Sequence, residues 1–283
     1  MNVIKILDGA MGTELVRAGV DLRLPIWSAD CNINNRELVF KIHSEYINAG
    51  ADIITTNTFR TTSYTYHKAG FSKKNAFIKA RDSFFYAVDI AFKASNGKKV
   101  AGSITTIDDC YLPNQFPGKR MSEKVYQELM IWFKKTDINF ILFETMGNMD
   151  EILIALKQAK IFHFKIWLSI IVRNSKYLLD GTNLVDFFNK IKEYDISCLL
   201  INCNGMENTL AFIKNINRYW DGIWGCYPNL GKKELMNDYF KIIDEKLFCE
   251  NIKKLLFKNP NIIGACCGST PHHIKLINKI IKG

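Results

Sequence analysis

Two adjacent cysteines followed by glycine, Cys266-Cys267-Gly268, stand near the end of the chain, and a third, Cys203, follows an asparagine in Ile201-Asn202-Cys203-Asn204-Gly205. A disulfide between adjacent cysteines strains the peptide that joins them. Two thiolates at one backbone bend can instead both reach a soft metal, with the next glycine relieving the geometry. That chemistry suits Zn²⁺. Three thiolates with an open fourth position make the catalytic form of a zinc site, whereas four protein ligands make a closed, structural one. The pattern is not a CxxC pair, and on spacing alone Cys203 and Cys266 read equally well as small buried hydrophobes.

Two carboxylates also stand where chemistry is expected. Asp8, in Leu7-Asp8-Gly9-Ala10-Met11-Gly12, reads either as the cap of a following helix or as a carboxylate that holds a cationic group while the Gly9 and Ala10 amides meet an anion. An amino-acid substrate carries both charges. Glu144 closes a strongly apolar run, where an unpaired carboxylate is costly, so a substrate contact is favoured over a buried ion pair whose basic partner the sequence does not name. His272 and His273 would point about 100° apart on a helix, cannot easily share one ion, and are expected at the surface. Trp27, Tyr64, Tyr66, Tyr111 and Tyr227 read first as packing residues, although aromatics on rim loops also wall cation pockets.

The elements that must position these residues follow from periodicity. Runs rich in Ile, Val, Leu and Phe lie near 3–7, 52–56, 100–104, 138–143, 166–172, 197–201, 222–226 and 261–264. Amphipathic stretches between them predict helices at 35–49, 73–95, 122–135, 149–161, 184–193 and 207–215, with a last helix opening at Thr270-Pro271. Buried parallel strands joined by crossover helices give this alternation. A doubly wound open sheet would give it too, but eight strands favour a single α/β domain over 1–283, a (β/α)₈ TIM barrel. Barrel chemistry sits at the carboxyl ends of the strands, so Asp8, Glu144, Cys203 and the Cys266-Cys267 pair are expected on one rim, with Thr55, Ser103 and Asn202 among the polar residues that end runs.

Composition narrows the function classes. With 48% hydrophobic and 23% charged residues in 283, the chain is an ordinary globular protein and not a disordered or fibrous one. The net charge of +10 raises nucleic-acid binding, but only 8 of 38 basic residues are Arg and the lysines are scattered singly or in pairs such as Lys73-Lys74, Lys98-Lys99 and Lys253-Lys254. Solvated helix faces are the better reading, with no nucleic-acid partner. The apolar start, Met1 to Leu7, is interrupted by Asp8, and no run approaches the ~18 residues that span a bilayer, so a cytoplasmic protein with no membrane partner is expected. In a reducing compartment the cysteines read as core residues, ligands or catalytic thiols and not as disulfides.

Several segments together resemble one family from end to end. Leu7-Asp8-Gly9-Ala10-Met11-Gly12-Thr13, Ala49-Gly50-Ala51-Asp52, Thr56-Asn57-Thr58-Phe59, Phe143-Glu144-Thr145, Ile201-Asn202-Cys203, Tyr227-Pro228-Asn229 and Gly264-Ala265-Cys266-Cys267-Gly268-Ser269-Thr270-Pro271 are similar, in that order, to the homocysteine S-methyltransferase family. The resemblance implies a single (β/α)₈ barrel in which Cys203, Cys266 and Cys267 bind zinc and homocysteine sulfur becomes the fourth ligand. It also implies that Asp8 and Glu144 hold the substrate amino group, that the Gly9-Ala10 turn meets its carboxylate, and that the product is methionine.

Leu24-Pro25-Ile26-Trp27-Ser28-Ala29 and the Tyr227-Pro228-Asn229 loop look like the branch that uses S-methylmethionine or S-adenosylmethionine, which assigns Trp27, Tyr227 and Asn229 to substrate binding. The chain length leaves no room for the folate and cobalamin modules of large methionine synthases, nor for the extension typical of betaine-dependent relatives. Two segments depart from the family pattern: Ile104-Thr105-Thr106-Ile107-Asp108 replaces a usual Gly-Pro segment, and Gly264-Ala265 replaces the commoner Gly-Gly. Both bear on donor specificity and rim-loop shape. The competing readings are a methyltransferase for another thiol, one with a corrinoid-protein or betaine donor, and a basic nucleic-acid-binding protein with structural cysteines.

Overall fold

The apolar runs become eight parallel strands in the computed structural model, which describes residues 3–231 and 241–283. They are β1 (Lys5–Ile6), β2 (Ile53–Thr55), β3 (Lys99–Ile104), β4 (Phe140–Met146), β5 (Lys165–Ile170), β6 (Ile196–Asn202), β7 (Trp224–Tyr227) and β8 (Ile262–Ile263). Each pairs with its sequence neighbour, and β8 pairs with β1. A parallel bridge between Leu7 and Ile53 joins β1 to β2, supported by Asp8 N donating to Ile53 O at 3.0 Å and Asp52 N to Ile6 O at 2.8 Å. The sheet therefore closes into a barrel, which settles the choice that periodicity left open.

One crossover helix follows each strand: α1 (Arg36–Ala49), α2 (Lys73–Ala94), α3 (Lys119–Phe133), α4 (Met149–Ile161), α5 (Leu184–Ile191), α6 (Met206–Ile213), α7 (Glu245–Leu256) and α8 (Pro271–Lys282). Their starts obey local chemistry. Side chains of Ser72, Asn148, Asn183 and Asp244 accept backbone N–H groups at the first turns of α2, α4, α5 and α7, satisfying donors that have no partner within the helix. At the other end of α1, Gly50 takes φ 109°, and a side chain there would also strike Asn278 of α8.

Two apolar layers hold the barrel together. The larger lies between strands and helices, where residues such as Leu15, Tyr46, Phe84, Phe133 and Phe248 are fully buried. The smaller fills the barrel with Leu7, Ile53, Ala101, Phe140, Leu142, Trp167, Cys198, Leu200, Tyr227 and Ile262, so every strand or its continuation contributes. Half-buried Cys266 packs on this inner cluster, which gives the rim a rigid floor.

Two boundaries and one burial differ from the sequence expectation for identifiable reasons. β4 continues past Phe143 through Glu144 to Met146, because Thr145 at φ 57° shifts the register and lets Met146 pair again with Ile170. The fifth run leaves the barrel after Ile170: Val172 is bonded through both its N–H and its C=O to the Asn204 side-chain amide, at 3.0 and 2.7 Å, and Val172–Asn174 pairs antiparallel with Tyr177–Leu178. His273 is buried, contrary to the surface expectation. Its Nδ1 accepts the Thr270 N–H at 3.2 Å, and its ring meets Phe248 edge-on with centroids 4.9 Å apart. His272 does lie exposed, 2.9 Å from Glu245. Among the described residues no helix is long and apolar enough to cross a membrane.

His43 of α1 is buried with neither ring nitrogen bonded to protein. Burial lowers its pKa to about 4, and burial likewise lowers His273 to about 4. Between pH 6.5 and 4 the unfolded chain therefore holds protons that the folded chain refuses, and stability falls as pH drops through that window. His43→Leu removes an unsatisfied polar group worth about 1–3 kcal/mol. The expected result is a melting temperature roughly 2–6 °C higher at pH 7 and a shallower acid loss, read by thermal melts at several pH values. An unchanged melting temperature would show that His43 is solvated in place.

Candidate metal and substrate site

Cys203 follows the last residue of β6 and takes φ 54°, a left-handed conformation that turns the chain sharply off the strand. Cys266 and Cys267 lie in the turn between β8 and α8. That turn is fixed by Cys266 N donating to Pro228 O at 2.8 Å, Leu230 N to Cys267 O at 3.1 Å, and Gly268 N to the Thr13 hydroxyl at 3.2 Å. The three sulfur atoms all lie within 4.8 Å of one another, with Cys266 and Cys267 Sγ 3.9 Å apart. Two sulfurs each about 2.3 Å from one tetrahedral zinc ion sit about 3.8 Å apart, so the donor set fits such an ion.

The electrostatics point the same way. Hydrogen bonds from Cys203 and Cys266 hold Cys267 well below the ordinary thiol range, whereas Cys266, bonded to Cys203 and Cys267 and buried, is pushed well above it. The bare cluster thus favours one thiolate, and a divalent cation is what would let three coexist. Around Cys203, Asn202 Nδ2 reaches its sulfur at 3.3 Å and the Thr145 hydroxyl at 2.9 Å. Asn202 Oδ1 in turn accepts from Thr145 N at 2.9 Å and the Ser169 hydroxyl at 2.7 Å. Partners of this kind orient a ligand sulfur.

On the same rim, buried Asp8 accepts the Thr55 N–H at 2.8 Å through Oδ2 and lies within 3.3 Å of the Thr55 hydroxyl. It does not cap the helix Met11–Arg17, whose N-cap, Ala10, has no side-chain hydrogen bond. Half-buried Glu144 accepts from the Ser103 hydroxyl and, at 3.1 Å, from Tyr227 OH. Burial pushes Asp8 well above the carboxylate range, with the charge of Glu144 adding to the effect, and burial raises Glu144 to about 7. Among the described residues no Lys, Arg or His pairs with either carboxylate. The ion-pair reading of Glu144 has no partner here.

The remaining sequence candidates are placed as follows. A side chain at Gly9 would meet Tyr46 and Ser269 at 2.6 Å, and the Ala10 N–H is donated to Ser269 Oγ at 3.1 Å. Trp27 takes φ 53° and lays its indole against Gly12. Asn229 spends its Nδ2 on the Cys203 carbonyl at 2.9 Å and so steadies the ligand turn. Tyr227 is buried and engaged with Glu144. Ser169 was missed; its signal was a lone hydroxyl inside the apolar run 166–172.

A family model described as homocysteine S-methyltransferase matches residues 5–281. The chain belongs to that family. Homocysteine S-methyltransferase 2 of Zea mays is 25% identical over 98% of this chain and 89% of its own length, and homocysteine S-methyltransferase of Escherichia coli K12 is 26% identical over 96% and 93%. The crystal structure of the metallated form of the homocysteine methyltransferase MmuM from Escherichia coli has a TM-score of 0.83 at 24% identity, covering 98% of this chain and 96% of that one. That likeness shows the shared fold. Family membership bears out the resemblance that the segments around Asp8, Glu144, Cys203 and Cys266-Cys267 carry.

Proposed function

We propose that residues 1–283 form one homocysteine-binding barrel that transfers a methyl group from a sulfonium donor to homocysteine at a Zn²⁺ site, giving methionine. One observation carries this reading: three convergent sulfurs share a rim with two carboxylates that lack a cationic partner among the described residues. Cys203, Cys266 and Cys267 would hold the ion. Bound there, zinc supplies a Lewis acid that keeps a thiol ionised at neutral pH, where a free thiol of pKa ~8.5 is mostly protonated.

The protein's own groups do the rest. Asp8 and Glu144 receive the substrate ammonium, which replaces the missing cation between them, while Thr55, Ser103 and Tyr227 fix the carboxylates. The Gly9-Ala10 turn meets the substrate carboxylate. Asn202 and Thr145 aim Cys203. Donor contact is assigned to Trp27 and to Tyr227 and Asn229, whose polar groups also serve Glu144 and the Cys203 carbonyl. In the transfer, the ionised homocysteine sulfur forms a bond to the methyl carbon as the donor carbon–sulfur bond breaks, and that electron pair neutralises the sulfonium. No acid is needed, only alignment.

The expected donor profile is turnover with S-methylmethionine, weaker turnover with S-adenosylmethionine, and none with methyltetrahydrofolate, whose leaving nitrogen needs a proton that no group here is assigned to give. Zinc-loaded protein assayed with homocysteine under reducing conditions decides it. Activity with betaine and neither sulfonium compound would reject the donor while leaving the homocysteine and zinc roles standing. A chain of this reading partners only small molecules, and a cytoplasmic setting supplies the reduced thiols that it needs.

A further inference from the structure

β2 and β3 stop pairing through their backbones just where the rim begins. Thr55 is the last residue of β2 in register, opposite Ala101, and Thr56 N donates to Ala101 O at 2.9 Å. In a continued parallel ladder the Ser103 N–H would next meet the Thr56 carbonyl, and the Ser103 carbonyl would meet the Thr58 N–H. Side-chain hydroxyls of the same two residues make those bonds instead: Ser103 N donates to Thr56 Oγ1 at 3.0 Å, and Thr58 Oγ1 donates to Ser103 O at 2.6 Å. The two hydroxyls lie 2.6 Å apart, and because the Thr58 proton is committed to Ser103 O, Thr56 is the donor between them. A closed ring of three buried hydrogen bonds therefore grips Ser103 by both its N–H and its C=O. Asn57, between the two threonines, faces the other way and exchanges bonds of 2.6–3.0 Å with Ser28 and Asn32.

A plain ladder would satisfy the same backbone groups, so what the hydroxyl ring adds is the placement of the Ser103 side chain. Ser103 Oγ donates to Glu144 Oε1, while Tyr227 OH donates to Oε2 at 3.1 Å and Thr105 Oγ1 to the Glu144 carbonyl at 3.0 Å. Each carboxylate oxygen thus has one hydroxyl donor that fixes its direction and keeps lone pairs for a cation. We infer that Thr58 is a positioning residue for substrate recognition: with Thr56 it holds Ser103 in place, and through the Ser103 hydroxyl it aims the Glu144 carboxylate at the substrate ammonium. The inference rests on the ammonium role proposed above for Glu144. Thr58 acts at second hand, so its loss should be felt by ligands that carry an amino group and not by the metal.

The test compares calorimetric binding of homocysteine and of γ-mercaptobutyrate, the same thiol acid without its amino group, to zinc-loaded protein. Thr58→Val keeps the side-chain shape and removes the hydroxyl. The variant is expected to bind homocysteine about 3–10-fold more weakly, with γ-mercaptobutyrate affinity and zinc content unchanged. In the Glu144→Gln background the same substitution should cost homocysteine nothing further, because the carboxylate that Thr58 aims is gone. Thr58→Ser, which keeps the hydroxyl, should bind homocysteine as the native protein does. If Thr58→Val does not fold, Thr56→Ala opens the ring at its other hydroxyl and carries the same comparison. A loss equal for both thiols, a loss that persists in Glu144→Gln, or no loss at all makes the ring purely structural and overturns the inference. Unchanged homocysteine affinity in Glu144→Gln alone overturns the ammonium reading and this inference together.

Discussion

Cys266→Ser is expected to leave a folded barrel that binds zinc much more weakly and has lost its turnover. Zinc binding by a full four-ligand site is worth about 10–16 kcal/mol, so one ligand in four carries roughly 2.5–4 kcal/mol, or about 10²–10³ in affinity. The fold should survive because Cys266 sits half-buried on top of the inner cluster and not within it, and its N–H bond to Pro228 O at 2.8 Å does not involve the side chain. Zinc per chain, thermal melting and homocysteine methylation measured together separate ligand loss from misfolding. A serine variant with full zinc and full turnover would sink the three-cysteine assignment.

Glu144→Gln should separate substrate recognition from metal binding. Losing a charge-assisted hydrogen bond to the substrate ammonium costs about 1.5–3 kcal/mol, which is roughly 10–150-fold in homocysteine affinity. Zinc content should stay at the native level, since Glu144 is not one of the convergent ligands. The pH dependence has a definite sign. Burial holds the free Glu144 near pKa 7, so it is mostly neutral below that pH and charged above it, and native homocysteine affinity should climb between about pH 6 and 8. The glutamine variant should lack that part of the rise, with the common titrations of the thiols cancelling in the comparison. An unchanged homocysteine affinity in Glu144→Gln makes Glu144 a structural carboxylate.

The Glu144→Gln prediction depends on what the carboxylates are not doing. A buried acid usually finds Arg or Lys, because an uncompensated charge is expensive, and this chain has such pairs to offer: Lys68 binds Asp108 at 2.6 Å on the neighbouring loop. Among the described residues Asp8 and Glu144 are given only hydroxyl and amide donors, which orient a carboxylate without neutralising it. In the proposed reading, an ammonium group brought by a substrate supplies the missing charge.

The sequence by itself determined the eight strands and seven of the eight crossover helices, α7 (Glu245–Leu256) being the one it did not give, since burial of strands and one-sided burial of helices are written in local periodicity. It also singled out Asp8, Glu144, Asn202-Cys203 and Cys266-Cys267, which stand where apolar runs end. Only the tertiary structure decided that the sheet closes, through the Leu7–Ile53 bridge, and that Asp8 serves Thr55 instead of capping a helix. It alone showed that Glu144 answers to Ser103 and Tyr227, 41 and 83 residues away. The reason is range. Periodicity records which face of an element avoids water, whereas the rim is assembled from side chains on different strands, and their partners are set by barrel closure and stagger, which no local window of sequence contains.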